Sequence, residues 1–453
     1  MTRDSVRILV PSGMLGSGFP AEIVDRGLAM GADVIAVDGG STDSGPHYLG
    51  TGTAKTTAAA VERDLRILLA AAARAGIPLI VGSCGTSGTD SGVDWVHSIV
   101  EQIGTDLRVA RIYSEQQATD LKDHLDKGRI HPLPPAGDLD PATLDSCQHI
   151  VAMMGHEPIA EALAGGADVV LAGRATDTAL AAAFPLMAGM PAGPTWHAAK
   201  IVECGGQCTT NPRAGGVLAT IDATGFTIEP LDPAVACTPT SVAAHMLYET
   251  VNPFSMREPA GTIVVADATY RALDDRRVRV EGSRFEPAEQ HTVKLEGARI
   301  TGYETMSFTA IRDPHILGQI TTWAALLRRM ITEWVGQTLG LDPGEYAFDI
   351  RLYGHDAILE AADPDTRPPR EVGVMLLVNA ADQQTATAIA KIANPLMLHL
   401  PTPDMNYLPS LAFATSPAET ERGAAYEFVL NHVVDVDSPT SLFRIELPEG
   451  TDA

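Results

Sequence analysis

The sequence GADVIAVDGGSTD at residues 31–43 decides the fold, because it joins a short apolar strand to a glycine-rich loop that ends in Thr-Asp. The same arrangement returns as AGIPLIVGSCGTSGTD at residues 75–90 and as GADVVLAGRATD at residues 166–177. The third copy differs from the others in carrying an arginine, Arg174. Parallel strands end at one edge of a sheet, and ligands bind in the crevice there. We therefore expect the three loops to face one pocket.

The order of strands and helices predicts an α/β fold. Short apolar strands alternate with helices from residue 6 to about 200, which is typical of a doubly wound, mostly parallel sheet. Thr- and Val-rich alternating segments at about 205–315 predict an antiparallel β extension. We predict an α/β domain at 1–340 that includes this extension, and a small α+β domain at 341–453.

Composition narrows the class of protein. The formal net charge is -25 over 453 residues, which argues against nucleic-acid and anionic-membrane partners because both require basic patches. The N-terminus has no signal-peptide pattern, and no apolar run is long enough to span a bilayer. The 5 cysteines are scattered and odd in number, so we expect them to be reduced. We predict a cytoplasmic protein.

Carboxylates are frequent in the three loops. Asp38, Asp43 and Asp90 could hold a hard cation such as Mg²⁺, which prefers oxygen ligands. Capping of the following helix is the alternative role for Asp43 and Asp90. The same loops supply small residues whose backbone can approach a ligand closely.

Arg174 directly follows a strand that is predicted to be buried. A guanidinium in that position needs an anionic partner, either an aspartate of a neighbouring loop or a carboxylate or phosphate of the substrate. We favour the substrate, because the planar fork of arginine binds such anions in a bidentate manner.

The segment WHAAKIVECGGQC at residues 196–208 concentrates reactive groups. On a helix His197 and Lys200 share a face, as do Lys200 and Glu203 or Cys204. The spacing of Cys204 and Cys208 matches no usual zinc site, and a buried inert thiol is the alternative for Cys204. The predicted catalytic residues are Asp177, His197, Glu203 and Cys204.

The segment CTPTSVAAHMLYE at residues 237–249 begins with a strong helix start whose backbone N–H groups could hold an anion. His245 falls inside this helix, and we expect it in the core or in support of the site. The residues predicted to contact the substrate are Gly40, Thr42, Ser83, Gly85, Arg174, Thr176, Thr238 and Ser241.

Common catalytic motifs are absent from the sequence. It contains no Walker loop, no G-x-G-x-x-G after a first strand, no H-E-x-x-H and no G-x-S-x-G. Nucleotide-dependent and serine-hydrolase functions are therefore not favoured.

Taken together, the quoted motifs resemble the acyclic terpene utilisation AtuA-like family. The resemblance is collinear from about residue 10 to 320, and GRATDTA at 173–179 combined with HAAKIVECG at 197–205 is its most specific part. The family takes its name from a pathway that degrades citronellol-type terpenes through acyl-CoA acids. Related proteins are often accompanied by a separate small AtuA-associated chain, which the resemblance implies as a partner here.

We predict an enzyme of the lyase, hydratase or isomerase type that moves a proton on a small di- or tricarboxylate or its CoA ester. One alternative is a metal-assisted hydrolase with the aspartates as ligands and Glu203 as base. Another is a binding or scaffold subunit that needs a small partner chain.

The C-terminal hundred residues look too small to form an independent core beside so large a body. We therefore expect homo-oligomerisation, or docking of a small partner chain, through this region.

Overall fold

The structure is a computed structural model that describes residues 3–213, 215–358 and 369–448. Its residues form two compact units, Met1–Arg299 with Phe428–Ala453, and Ile300–Glu427. The domains predicted from the sequence, 1–340 and 341–453, stay a prediction. Among the described residues, no helix is both long and apolar enough to cross a membrane.

The strands of the described residues are β1 (Ser5–Val10), β2 (Val34–Asp38), β3 (Leu79–Gly82), β4 (Val109–Tyr113), β5 (Ile130–Pro132), β6 (Cys147–Met153), β7 (Val169–Ala172), β8 (Val217–Asp222), β9 (Gly225–Pro230), β10 (Ser255–Glu258), β11 (Gly261–Val264), β12 (Thr269–Ala272), β13 (Val278–Glu281), β14 (Arg284–Pro287), β15 (Thr292–Ile311), β16 (Tyr346–Tyr353), β17 (Val372–Ala380), β18 (Ala412–Phe413), β19 (Glu419–Asp435) and β20 (Arg444–Glu446).

The helices are α1 (Ala21–Ala29), α2 (His47–Thr51), α3 (Ala58–Ala75), α4 (Asp90–Ile103), α5 (Ala118–Asp126), α6 (Pro141–Ser146), α7 (Glu157–Ala164), α8 (Asp177–Met187), α9 (Ala192–Val202), α10 (Pro239–His245), α11 (Pro314–Leu317), α12 (Ile320–Leu339) and α13 (Gln383–His399). Short 3₁₀ turns lie at Thr42–Ser44 and Gly205–Cys208.

A 10-stranded sheet organises the first unit, in the order β12-β13-β9-β8-β1-β2-β3-β7-β4-β20. The neighbours from β1 to β4 are parallel, whereas every other neighbouring pair is antiparallel. The predicted α/β class is therefore confirmed. The finer prediction of a doubly wound, mostly parallel sheet is not confirmed, because antiparallel strands extend both sides of the parallel centre and make the sheet mixed.

The centre of this sheet is apolar on both faces. Every residue of β2, β3 and β7 is buried. Helices α1, α3 and α4 contribute to the core on one face, and α7, α8 and α9 to the core on the other. This explains why the strands read as continuous apolar runs rather than as an alternating pattern.

The loops after β2, β3 and β7 meet at the carboxyl edge of the parallel strands. Gly88 shows how closely they approach: its φ is +67°, and a Cβ there would lie 2.1 Å from the backbone nitrogen of Arg174. Only glycine fits this contact. The second and third loops therefore touch through their backbones.

The second unit has its own core. In it, residues 303–311 of β15 pair with β17, which pairs in turn with β16. Helices α12 and α13 bury apolar residues in the same core. The indole Nε1 of Trp323 donates a hydrogen bond of 2.9 Å to the carbonyl of Leu400, which ties α12 to the end of α13.

Candidate active site

A cleft of about 480 Å³ lies in the first unit. Loops after β1 and β2, the start of α8, the 3₁₀ turn at Gly205–Cys208 and the segment after α10 line it. Its polar side chains are Ser12, Ser17, Asp38, Ser41, Asp43, Ser44, Lys55, Asp177, Cys204, Gln207, Arg213, Tyr248 and Glu249.

The floor of the cleft is acidic. Asp38 and Asp177 line both the cleft and a small recess behind it, and Glu203 lines the recess together with apolar side chains. Burial raises the pKa of Asp38, and the neighbouring Asp177 raises it further. Burial also raises the pKa of Asp177, although Arg174 and Lys200 oppose that shift. Three carboxyl groups therefore line one small recess, with too little positive charge to keep all of them ionised.

Lys200 and Glu203 form a buried ion pair at the end of α9. The Nζ of Lys200 lies 2.5 Å from Oε1 of Glu203, which is 7% exposed. Burial raises the pKa of Glu203 to about 8, and Lys200 only partly opposes this effect. Burial works to lower the pKa of Lys200, but Glu203 outweighs it and the net shift is upward. Glu203 can thus hold or release a proton near neutral pH.

His245 and Cys204 complete the surroundings of Glu203. The Nε2 of His245 lies 3.9 Å from Oε1 of Glu203, is buried and has no hydrogen-bond partner. Burial, and then Lys200, lowers the pKa of His245 to about 4. Burial, and then Glu203, raises the pKa of the Cys204 thiol. The imidazole is therefore neutral and the thiol protonated at neutral pH.

These side chains are also the candidate metal ligands. Ligand atoms of Glu203, Cys204 and His245 lie within 4.8 Å of one another, and no other group of three such side chains does so in the described parts of the chain. An imidazole, a thiolate and a carboxylate are ligands that Zn²⁺ accepts.

Asp38, Asp43 and Asp90, the predicted magnesium ligands, are not brought together. Asp38 and Asp43 line the cleft. Asp90 lies at the start of α4, where its carboxylate accepts a hydrogen bond of 3.1 Å from the backbone N–H of Glu115. The magnesium site stays a prediction, with two of its three residues in one place.

Arg174 lies among the three loops, but its guanidinium faces protein groups. Its Nε donates to Oε2 of Glu296 at 2.9 Å, and its Nη1 donates to the hydroxyl of Ser83 at 3.3 Å. Thr42 donates to the same Glu296 oxygen at 3.2 Å. Burial by itself raises the pKa of Glu296. The positive charges of Arg174 and then Lys294 outweigh burial and bring the pKa to about 2. A substrate-binding role for Arg174, Thr42 and Ser83 stays a prediction.

Thr176 has a partner that the sequence did not indicate. Its hydroxyl donates to Glu258 at 3.0 Å, and that of Thr178 donates to the other carboxylate oxygen at 2.7 Å. Burial raises the pKa of Glu258 to about 7, while Thr178 and Thr176 oppose the shift. Glu258 is thus a second buried carboxyl that titrates near neutrality.

The hydrogen bonds of His197 are made with residues other than Glu203. Its Nδ1 lies 2.7 Å from the hydroxyl of Ser283, and its Nε2 lies 3.1 Å from the hydroxyl of Tyr270. Burial lowers its pKa to about 3. Both ring nitrogens are used, so the structure does not bring His197 together with the other predicted catalytic residues.

Three more predicted substrate contacts have protein partners. Thr238 and Ser241 cap α10 reciprocally, each hydroxyl accepting from the backbone N–H of the other residue. Gly85 packs against α4, since a Cβ there would lie 2.6 Å from the Cα of Gly92. Gly40, in contrast, lines the cleft.

Lys55 and Arg213 line the cleft and were missed by sequence reasoning. The Nζ of Lys55 donates to the hydroxyl of Ser44 at 2.6 Å. Neither residue forms an ion pair within the described residues. No sequence motif could have indicated them, because they lie in irregular segments outside the three repeated loops.

Comparison with known proteins identifies a family. The model of the family described as acyclic terpene utilisation family protein AtuA matches residues 51–404. No curated protein and no solved structure matches the chain.

Proposed function

The chain belongs to the acyclic terpene utilisation family AtuA, and on this premise we propose that it is an enzyme that moves a proton on a small di- or tricarboxylate or its CoA ester. The reaction is of the lyase, hydratase or isomerase type. The observation that carries the proposal is the buried Lys200–Glu203 pair, because Glu203 lines a small recess that shares Asp38 and Asp177 with the acidic cleft.

Glu203 is the proton carrier in this proposal. A general acid or base works best when its pKa lies near the working pH, and burial gives Glu203 a pKa of about 8. Lys200 holds the carboxylate in place through the contact at 2.5 Å. Asp177, which lines the cleft directly, is the second acid that faces the substrate.

Lys55 and Arg213 are the proposed anion-binding residues. Both line the cleft and have no carboxylate partner among the described residues, so their charges are available to a ligand. A substrate carboxylate can accept charged hydrogen bonds from these side chains in the cleft that Asp177 also lines. This assignment differs from the sequence-based one, in which Arg174 holds the carboxylate.

A chemical role of Cys204 as nucleophile is not favoured. Burial and the nearby carboxylates raise the pKa of its thiol, and the thiolate is the reactive form. Cys204 instead contributes to the wall of the cleft.

Metal-assisted hydrolysis is the second candidate, and the proximity of Glu203, Cys204 and His245 favours it. The ammonium of Lys200 argues against it, because it already supplies positive charge at Glu203. Mg²⁺ held by Asp38 and Asp43 is a further proposal for the cleft, since both offer oxygen ligands.

Exchange of carbon-bound hydrogen with solvent tests the proposed function. The protein is incubated in D₂O with succinate, citrate or the CoA thioester of a short branched acid, and deuterium incorporation is followed by NMR. We expect incorporation in at least one probe and a loss of about 100-fold or more in Glu203→Gln.

Glu157→Gln is the matched control, because Glu157 is a carboxyl whose pKa burial also raises but which does not line the cleft. Equal exchange rates in Glu203→Gln and wild type would contradict the role of Glu203. Binding of a probe without any exchange would favour the scaffold alternative.

A further inference from the structure

His245 has a buried nitrogen that no protein group satisfies. His245 is 4% exposed, and its Nε2 has no hydrogen-bond partner. A buried polar atom without a hydrogen-bond partner destabilises the folded state, which is a free-energy cost. Such a cost at this position points to a ligand atom that completes the hydrogen bond.

The free nitrogen faces the proposed proton carrier. Nε2 lies 3.9 Å from Oε1 of Glu203, too far for a direct hydrogen bond, and the Cys204 sulfur lies within 4.8 Å of a ring nitrogen of His245 and of a carboxylate oxygen of Glu203. The imidazole stacks on Tyr248, with ring centres 5.6 Å apart and an interplanar angle of 23°. Tyr248 and Cys204 both line the cleft, so Nε2 lies next to residues of the cleft wall.

We infer that His245 is a catalytic residue that donates a hydrogen bond from Nε2–H to the carbonyl oxygen of the substrate while Glu203 takes the proton from the adjacent carbon. This inference rests on the proposed function and deepens it. A carboxylate base beside a neutral imidazole donor is an arrangement that suits enolisation.

Starting from the ionised form of Glu203, the carbon-bound proton moves to the carboxylate, and the electron pair of the C–H bond becomes the C=C bond of an enolate. The π electron pair of the carbonyl moves to its oxygen, where His245 donates its hydrogen bond. Return of the proton from Glu203 to carbon, or to another carbon of the conjugated system, regenerates the enzyme.

Three groups facing His245 favour a donor rather than a base. The Nζ of Lys200 lies 2.5 Å from the same Glu203 oxygen that Nε2 approaches, and this ammonium disfavours a second positive charge on the imidazole. Oε1 of Glu203, at 3.9 Å, favours the tautomer with its proton on Nε2. Tyr248 covers one ring face and limits its rotation.

The same surroundings narrow the substrate class. A second carboxylate beside Glu203 would be repelled, since Lys200 is the one cation paired with Glu203 in the described residues. An uncharged carbonyl group beside Glu203 meets no such repulsion. We therefore expect a thioester or an oxo acid whose uncharged carbonyl approaches Nε2 of His245, while any carboxylate of the substrate stays near Lys55.

The test compares His245→Leu, which removes the donor, with His245→Gln, which retains an N–H group. The solvent-exchange assay is run on the probe that wild type labels. We expect kcat to fall about 100-fold in His245→Leu with little change in KM, and the glutamine variant to recover part of the loss. His149→Gln is the matched control, because His149 pairs with Glu115 outside the cleft.

The outcomes separate this inference from the proposed function. Loss of exchange in Glu203→Gln but not in His245→Leu would overturn the role of His245 alone. Equal losses in the leucine and glutamine variants would also overturn it, since a structural role makes no use of the donor. Zn²⁺ bound by wild type in native mass spectrometry and lost in both histidine variants would replace the donor with a metal ligand.

Discussion

Two buried ion pairs in the first unit differ in how completely their charges are matched. The guanidinium of Arg174 reaches Glu296, Ser83 and the carbonyl of Ala175, and Glu296 has a second cation in Lys294 at 2.9 Å. Glu203 has one ion-pair partner with a permanent charge, Lys200, among the described residues.

The pKa values of the two glutamates show the consequence. Burial raises the pKa of both glutamates. Two cations nevertheless bring the pKa of Glu296 to about 2, whereas the one cation at Glu203 is opposed by the carboxylates of Asp177 and Glu258 and leaves its pKa at about 8. Arg174 and Glu296, whose charges are balanced, connect loops of the fold. Glu203, whose charge is not fully balanced by Lys200, keeps a proton that it can transfer to or from a substrate. Proximity to a cleft is therefore a weaker guide to function than the balance of charge.

The largest expected effect comes from breaking the matched pair. Arg174→Leu leaves Glu296 buried without its main partner, and we expect the free energy of unfolding to fall by about 3–5 kcal/mol. Urea denaturation measures this change. Arg66→Leu is the control, because Arg66 pairs with Glu62 on the surface and such pairs contribute at most about 1 kcal/mol. Unchanged stability with lost substrate binding would restore Arg174 as the substrate clamp.

The pH dependence of stability distinguishes the pairs by sign. Between pH 4.5, the ordinary pKa of a glutamate, and about pH 8, Glu203 binds a proton in the folded state but not in the unfolded state. Its contribution to the free energy of unfolding therefore falls as pH rises, by at most about 1.4 kcal/mol per pH unit. Glu296 has the opposite sign, since its contribution is lost as pH falls from 4.5 through about 2.

Urea denaturation of wild type and Glu203→Gln at pH 5, 6, 7 and 8 tests this difference. We expect the stability of Glu203→Gln relative to wild type to increase by more than about 1 kcal/mol across the series. A difference that is constant with pH would show that Glu203 does not retain its proton above pH 5.

A smaller effect is expected at the rim of the cleft. Lys55→Ala and Arg213→Ala should each weaken binding of citrate about tenfold in calorimetry, because each removes one charged hydrogen-bond donor. Stability should stay within about 0.5 kcal/mol of wild type. Arg271→Ala, on β12 and outside the cleft, is the control. Unaltered affinity in both rim variants would contradict the assigned anion site.

The smallest effect is expected at Cys204. Its thiol has a raised pKa, so iodoacetamide at pH 7 should modify it slowly, at no more than the rate of a free thiol. Cys204→Ser should retain turnover within about tenfold of wild type. Rapid alkylation that removes activity in step would instead establish a cysteine mechanism.

The sequence was informative where a property depends on neighbouring residues in the chain. The strand and loop at residues 31–43 and its two repeats predict α/β structure, and the structure confirms that class. The motifs at 173–179 and 197–205 predict the family, and the match over residues 51–404 confirms it. Proximity of Lys200 and Glu203 also follows from helical spacing alone.

The sequence was uninformative where a partner lies far along the chain. Glu296 is 122 residues from Arg174, and Glu258 is 80 residues from Thr178. His197 shares a helix face with Lys200 in the sequence, yet it packs between Ser283 and Tyr270. No local pattern contains these partners.

The sequence by itself therefore determined the class of fold, the family and the kinds of reactive group available. Tertiary structure decided which carboxyl groups keep a proton and which lysines and arginines form ion pairs. It also decided that the buried Nε2 of His245 has no hydrogen-bond partner. The physical reason is that strand and helix formation depends on local periodicity, whereas the pKa of a side chain depends on its burial and on charges within a few ångströms, which only the folded chain brings together.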